Sequence, residues 1–445
     1  SKGDVGLSVG IARKMETMGA ESQLAQLILL VEQINTQDFA AADASFGEGA
    51  EFSPLLDGLI HGWVLLGQGR MSDATERFMT LGESAAMRVF SEYHRALALA
   101  VVGDYEAAEE IFKGENGQPL RIGRGSLVAH IEILSQLERG DEALAIVNEA
   151  LGGSGDPEIT ALRDRLANGE TLEFSSVRNA TEGVAEVFQT LAAVLADEDN
   201  NRFGLIYGRL AEYLRPESVA SILLVADLLN EQGQYDLAVR NFNKVPSDHP
   251  VFYSAEIGRA EALQAAEKAD AAIEVLRGLA KTHKSIPTVQ TSLGDALRRQ
   301  SRFDEASEAY DAAIKLLPEP QRSHWFLYYA RGITFEREGK WEEAEADFRF
   351  ALELSPDQPL VLNYLGYGLV EKRIKLVEAQ EMIQTAVDKR TDDGYITDSL
   401  GWVYYRVGKF EEAVPHLERA VELLPVDPII NDHLGDAYWM VGRKL

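Results

Sequence analysis

One small residue keeps returning at a fixed interval: Gly62, Ala96, Ala192, Ala226, Ala260, Gly294, Gly332, Gly366, Gly401 and Gly435, with a weaker match at Ile131. The successive steps are 34, 35, 61, 34, 34, 34, 38, 34, 35 and 34 residues. Chance amphipathicity does not hold a period this long, whereas a repeated supersecondary unit does. In the clearest copy, Gly394 to Asp427, the run Leu400-Gly401 and Tyr404 leads to Gly408, and Ala413, Leu417, Ala420 and Pro425 follow. Small side chains at Gly401 and Ala413 let two helix backbones approach, Tyr404 and Leu417 fill the space between them, and Gly408 stops the first helix. A single pair cannot bury its apolar face, so copies stack and share a core. The period predicts an all-α fold, an α-α superhelical solenoid of about eleven helix-turn-helix repeats.

Residues 1–151 read as degenerate repeats, keeping Gly62, Ala74 and Phe78, then Ala96, Gly103-Asp104-Tyr105, Ala108 and Phe112. Residues 152–177 contain Gly152-Gly-Ser-Gly-Asp-Pro157, a strong loop signal, inside the 61-residue step. This part is expected to be an irregular linker or bend, with one helix near Glu158–Asn168 and an extended piece around Thr171–Ser176. Residues 178–445 carry the regular repeats, the last of them truncated. Both ends read as cuts within a repeat, so a signal peptide or a lipid-bearing cysteine would lie upstream.

The formal charge is −29, from 72 acidic against 43 basic residues, which speaks against binding nucleic acid by phosphate neutralisation. The absence of cysteine excludes disulfides, thiolate metal sites and a cysteine nucleophile. No apolar run is long enough to span a membrane. The eight histidines lack metal-ligand spacing. Asp197–Asn201 hints at a calcium loop but is followed by Arg202 and Gly208 where glycine and glutamate are needed. Neither a phosphate-binding loop nor a nucleophile-elbow motif occurs. The expectation is therefore a chain without cofactor, metal or catalytic site.

The remaining candidate is a surface. Counting Gly394 as position one, positions 2, 5, 9, 12 and 13 point away from the packed side of the first helix. Across four successive units these include Phe326, Tyr329, Asn363, Tyr367, Tyr395, Asp398, Trp402, Tyr405, Asp432 and Trp439. Aromatic rings interleaved with polar groups either pack between repeats or form a groove for an extended or helical segment of a partner.

The pattern Leu-Gly-x2-Tyr, Ala, Pro over 34 residues resembles the tetratricopeptide repeat family over nearly the whole chain. That resemblance implies a right-handed superhelix binding peptides or proteins on its concave side. Members that recognise chaperone C-termini use a lysine/asparagine carboxylate clamp, and position 5 here is Ile257, Thr291, Tyr329, Asn363, Asp398 and Asp432, with no lysine. Asn363-Tyr-Leu-Gly-Tyr367, Asp392–Trp402 and Asn431–Trp439 look like segments of Gram-negative cell-envelope tetratricopeptide proteins, some of them lipoprotein adaptors of carboxyl-terminal processing proteases. The implied role is a non-catalytic periplasmic scaffold or adaptor, outer-membrane anchored where an upstream lipid is attached. A constitutive subunit of an envelope assembly, a cytoplasmic location and an enzyme in the irregular N-terminal part are the alternatives.

Overall fold

The computed structural model describes residues 5–20, 22–47, 52–114, 119–151, 156–196 and 201–443. The loop signals at 115–118 and 152–155 and the acidic run 197–200 lie outside these residues. Among the described residues there are twenty-five α-helices and no strand. They cluster into two compact units, 1–272 and 273–445.

The first unit contains α1 (Val5–Thr17), α2 (Gln23–Asn35), α3 (Phe39–Gly47), α4 (Pro54–Gly67), α5 (Met71–Gly82), α6 (Arg88–Val101), α7 (Tyr105–Lys113) and α8 (Arg124–Gln136). It continues with α9 (Gly140–Leu151), α10 (Pro157–Ala167), α11 (Ala180–Ala196), α12 (Asn201–Leu214), α13 (Val219–Glu231), α14 (Tyr235–Phe242) and α15 (Phe252–Ala265). The division falls within α16 (Ala269–Thr282). The second unit contains α17 (Pro287–Arg299), α18 (Phe303–Lys315), α19 (Trp325–Arg337), α20 (Trp341–Leu354), α21 (Pro359–Glu371), α22 (Leu376–Lys389), α23 (Gly394–Arg406), α24 (Phe410–Leu423) and α25 (Pro428–Met440). Within residues 152–177, α10 spans Pro157–Ala167, and residues 170–175 are neither helix nor strand.

Local chemistry sets the helix ends. Asp393 and Asp427 cap α23 and α25 by accepting backbone N–H bonds from residues two and three positions on. At the end of α23, Gly408 takes φ +81°, and the N–H of Lys409 reaches back to the carbonyl of Tyr404 at 2.9 Å. The extra residue between α21 and α22 is absorbed by two non-glycine residues in left-handed conformations, Arg373 and Lys375.

The recurring small residue works as its spacing suggests. A Cβ added at Gly62, Gly294, Gly332 or Gly401 would meet Phe78, Tyr310, Phe348 or Leu417, at 2.5 to 2.7 Å. Each partner stands sixteen residues later, on the second helix of the same pair. Those four partners are fully buried, and with their equivalents they form the core of each helix pair.

In the first unit the chain turns back on itself. Helix α11 packs against α4 and α6 as well as against α12. Trp63 of α4 lies so close to Gly183 of α11 that a Cβ there would stand 2.2 Å from the indole. Tyr93 of α6 donates to Glu186 of α11 at 2.8 Å, and Thr181 of α11 donates to the carbonyl of Ile34 at 3.1 Å. Trp63 and Tyr93 occupy positions 9 and 5 of their repeats, the positions expected to face a groove. Here they face the protein's own helix. The piece that permits this reversal is tied down: Glu132 of α8 accepts from the backbone and hydroxyl groups of both Ser175 and Ser176, at 2.6 to 3.1 Å.

Candidate functional site

The second unit retains an open face. A cavity of about 530 Å³ is formed there by α21, α23 and α25 together with the end of α19 and the start of α20. Of the sequence-chosen residues, Asn363, Tyr367, Tyr395 and Asp398 line it. Their spacing explains the convergence. Positions 5 and 9 of α21 and positions 2 and 5 of α23 lie on neighbouring first helices and on the same side of each.

Trp402 and Tyr405 have a different surrounding. Their rings stack at 4.7 Å and 6°, and Trp402 also stacks on His433 of α25 at 3.9 Å. The Trp402 indole N–H and Arg406 each donate to Glu371 of α21 at 2.9 Å. Asp398, buried, holds the Nδ1 of buried His433 at 2.9 Å. These contacts join three successive first helices edge to edge. Farther along the array, Tyr329 packs against Trp325, Phe348 and Tyr364, while Phe326, 42% exposed, lies against Trp325 and Tyr329. Asp432 and Trp439 are exposed on α25 and do not line the cavity.

Several lining residues were not among the sequence-chosen ones. Tyr364, Ser399 and His433 all occupy position 6 of their repeats, a periodic signal beside the positions used. Trp341 enters from the second helix of a pair, where its indole lies against Gly368; a Cβ on that glycine would stand 2.5 Å from the ring. The second glycine of Gly366-Tyr-Gly368 is the sequence trace of this approach.

The electrostatics of the cavity are uneven. Burial raises the Tyr367 hydroxyl above its ordinary range, and the carboxylates of Glu371 and Asp398 raise it further. Burial likewise raises Tyr364, reinforced by Glu336 and opposed by Arg337. Two polar atoms are buried without a hydrogen-bond partner among the described residues, the indole N–H of Trp341 and Oδ1 of Asn363. A buried donor or acceptor left unpaired costs on the order of 1–3 kcal/mol, which a ligand able to reach both would recover.

The tetratricopeptide repeat family matches at residues 291–359 and again at 395–424. Tetratricopeptide repeats are therefore present in the second unit. TPR repeat-containing protein PA4667 of Pseudomonas aeruginosa is 30% identical over 176 residues, 39% of this chain and 29% of that protein. Human tetratricopeptide repeat protein 13 is 29% identical, over 42% of this chain and 22% of its own. Human protein O-mannosyl-transferase TMTC1 is 28% identical, over 45% of this chain and 23% of its own. The chain thus spans less than a third of the length of these relatives. Among solved structures, the APC/C hetero-tetramer Cut9-Hcn1 is similar with a TM-score of 0.40 and 16% identity, covering 95% of this chain and 98% of the matched one.

Proposed function

We propose that this chain is a non-catalytic protein-interaction scaffold that takes an extended segment of a partner protein on the open face of its second unit. The observation that carries the reading is the cavity beside Asn363 and Trp341, where one buried donor and one buried acceptor stand unpartnered between aromatic walls. A peptide segment offers both complementary groups at once, donors and acceptors. The exposed Tyr395 and Ile429, 60% and 62% accessible, supply apolar contact at the mouth. In the first unit, by contrast, α11 covers the groove-facing positions of α4 and α6.

A photo-crosslinking residue tests this reading when placed at Tyr395 and, as control, at Val377, which is at least as exposed but lies on second helix α22. Partner protein should be captured from position 395 and not from 377. Equal capture from both, or capture only from 377, would overturn the reading.

We further propose a cell-envelope adaptor, on the likeness of Asn363–Tyr367, Asp392–Trp402 and Asn431–Trp439 to envelope proteins. Fractionation of the source cells should recover the protein outside the cytoplasm, and recovery wholly from the cytoplasm would refute it. Because a relative is named an O-mannosyl-transferase, a mannosyl-transfer assay checks the non-catalytic part of the reading. Turnover above the buffer rate would overturn it.

A further inference from the structure

We infer that the cavity of the second unit selects a lysine or arginine side chain on the partner segment, an inference that rests on the groove reading above. The cavity is supplied with acceptors. Oδ1 of Asn363 is buried and unpartnered. Glu371 receives both Trp402 and Arg406 on Oε1, and its Oε2 carries no hydrogen bond among the described residues. The two lining cations are engaged within the cavity wall and not with Glu371: Arg337 lies 3.5 Å from Glu336, and the Lys372 ammonium sits 4.9 Å from the centre of the Trp341 ring.

An entering cation would meet three favourable features at once. Its N–H groups would find Asn363 and Glu371, each a stronger bond for being charge-assisted. Its alkyl stem would lie along Tyr364 and Tyr367, as long basic side chains do on apolar surface. The cation would also stand near the Glu371 and Asp398 carboxylates, which add to burial in raising the Tyr367 hydroxyl. The unpartnered indole N–H of Trp341 remains for a backbone carbonyl of the same segment. A carboxylate in that place would confront Glu371 and Asp398 and leave Asn363 Oδ1 unsatisfied. The polarity is the reverse of a carboxylate clamp.

The test uses the full chain and a library of short random peptides whose central position is lysine, arginine, glutamate or norleucine. Norleucine has nearly the volume of lysine without its charged head. Lysine and arginine peptides should bind about tenfold tighter than their norleucine counterparts, the size of one charge-assisted hydrogen bond. Glu371→Gln and Asn363→Leu should each remove most of that preference, read as the ratio of lysine or arginine to norleucine affinity within each variant. The first keeps an acceptor for Trp402 and the second lies away from that contact, and circular dichroism checks the fold of each. Peptides that bind with no preference for lysine or arginine, or with a preference both variants retain, would overturn the inference and leave the groove reading standing. A library from which no peptide binds would overturn the groove reading itself.

Discussion

Acid should loosen the first unit through one buried ring. His94 is fully buried on α6, and its Nδ1 accepts the indole N–H of Trp63 at 3.1 Å. Nε2 therefore carries the ring proton and has no acceptor among the described residues. Burial drives the pKa down from 6.5 to about 3. The sign follows directly. Above pH 6.5 the ring is neutral in both folded and unfolded chains, and the stability is intact. As the pH falls, the unfolded chain takes up a proton that the folded chain refuses until about pH 3. Stability then drops by about 1.4 kcal/mol per pH unit, reaching about 5 kcal/mol across the whole interval. His130, with burial as the main cause and Arg121 next, is lowered to about 4 and adds a second slope of the same sign. The variant His94→Gln keeps an acceptor for Trp63 and removes the titration. Trp63 is the sole tryptophan of the first unit. The 19F signal of fluorotryptophan at that position can therefore report urea unfolding of this unit at several pH values. Between pH 6 and 4.5 the wild-type stability should fall more steeply than that of His94→Gln by about 1.4 kcal/mol per pH unit. Carboxylates contribute equally to both proteins and cancel in the difference. Identical slopes would refute the reasoning, because His94 would then not be held neutral by burial.

Three other perturbations bear on packing. Gly401→Leu puts a side chain where even a Cβ lies 2.5 Å from Leu417 Cγ and 3.2 Å from the Leu417 backbone nitrogen; thermal melts should show a loss of about 1–3 kcal/mol. Gly183→Ala should separate α11 from α4 because the Trp63 ring cannot move by the required distance in a packed core. Hydrogen exchange in α4 and α11 should then accelerate together, and unchanged protection would count against the closed first unit. Asp398→Ala leaves His433 buried without its carboxylate partner and should cost about 1–3 kcal/mol in urea unfolding of the second unit. In the double variant with His433→Phe most of that penalty should disappear, whereas simple additivity would show that the pair is not coupled.

How much of this was legible in the sequence depends on the distance over which each feature is decided. Gly62, Gly294, Gly332 and Gly401 announce their contacts because each meets its partner sixteen residues away within one helix pair. The cavity was legible in part. Asn363, Tyr367, Tyr395 and Asp398 were found by helical spacing alone, since neighbouring first helices repeat the same face. Trp341 belongs to a second helix, outside the first-helix positions whose spacing marks the face. Trp402 shows the limit most clearly. At the same repeat position as Tyr367, it stacks on His433 of the next repeat, while Tyr367 faces the cavity. Position in the repeat does not distinguish the two; the residue presented by the following helix does.

By itself, then, the sequence determined the helix pairs, their period, their turns and the small residues on which they close, since all of these are settled within about one repeat length by helix geometry and side-chain volume. Which faces stay open was decided only by the tertiary structure. In the first unit, Trp63 and Tyr93 carry groove-facing repeat positions, yet α11, more than eighty residues farther along, covers both. In the second unit the equivalent face of α21 keeps an unpartnered acceptor at Asn363. The difference lies in contacts between segments far apart in the chain. A 34-residue period cannot encode them, because every copy carries nearly the same pattern whether or not another helix comes to lie across it.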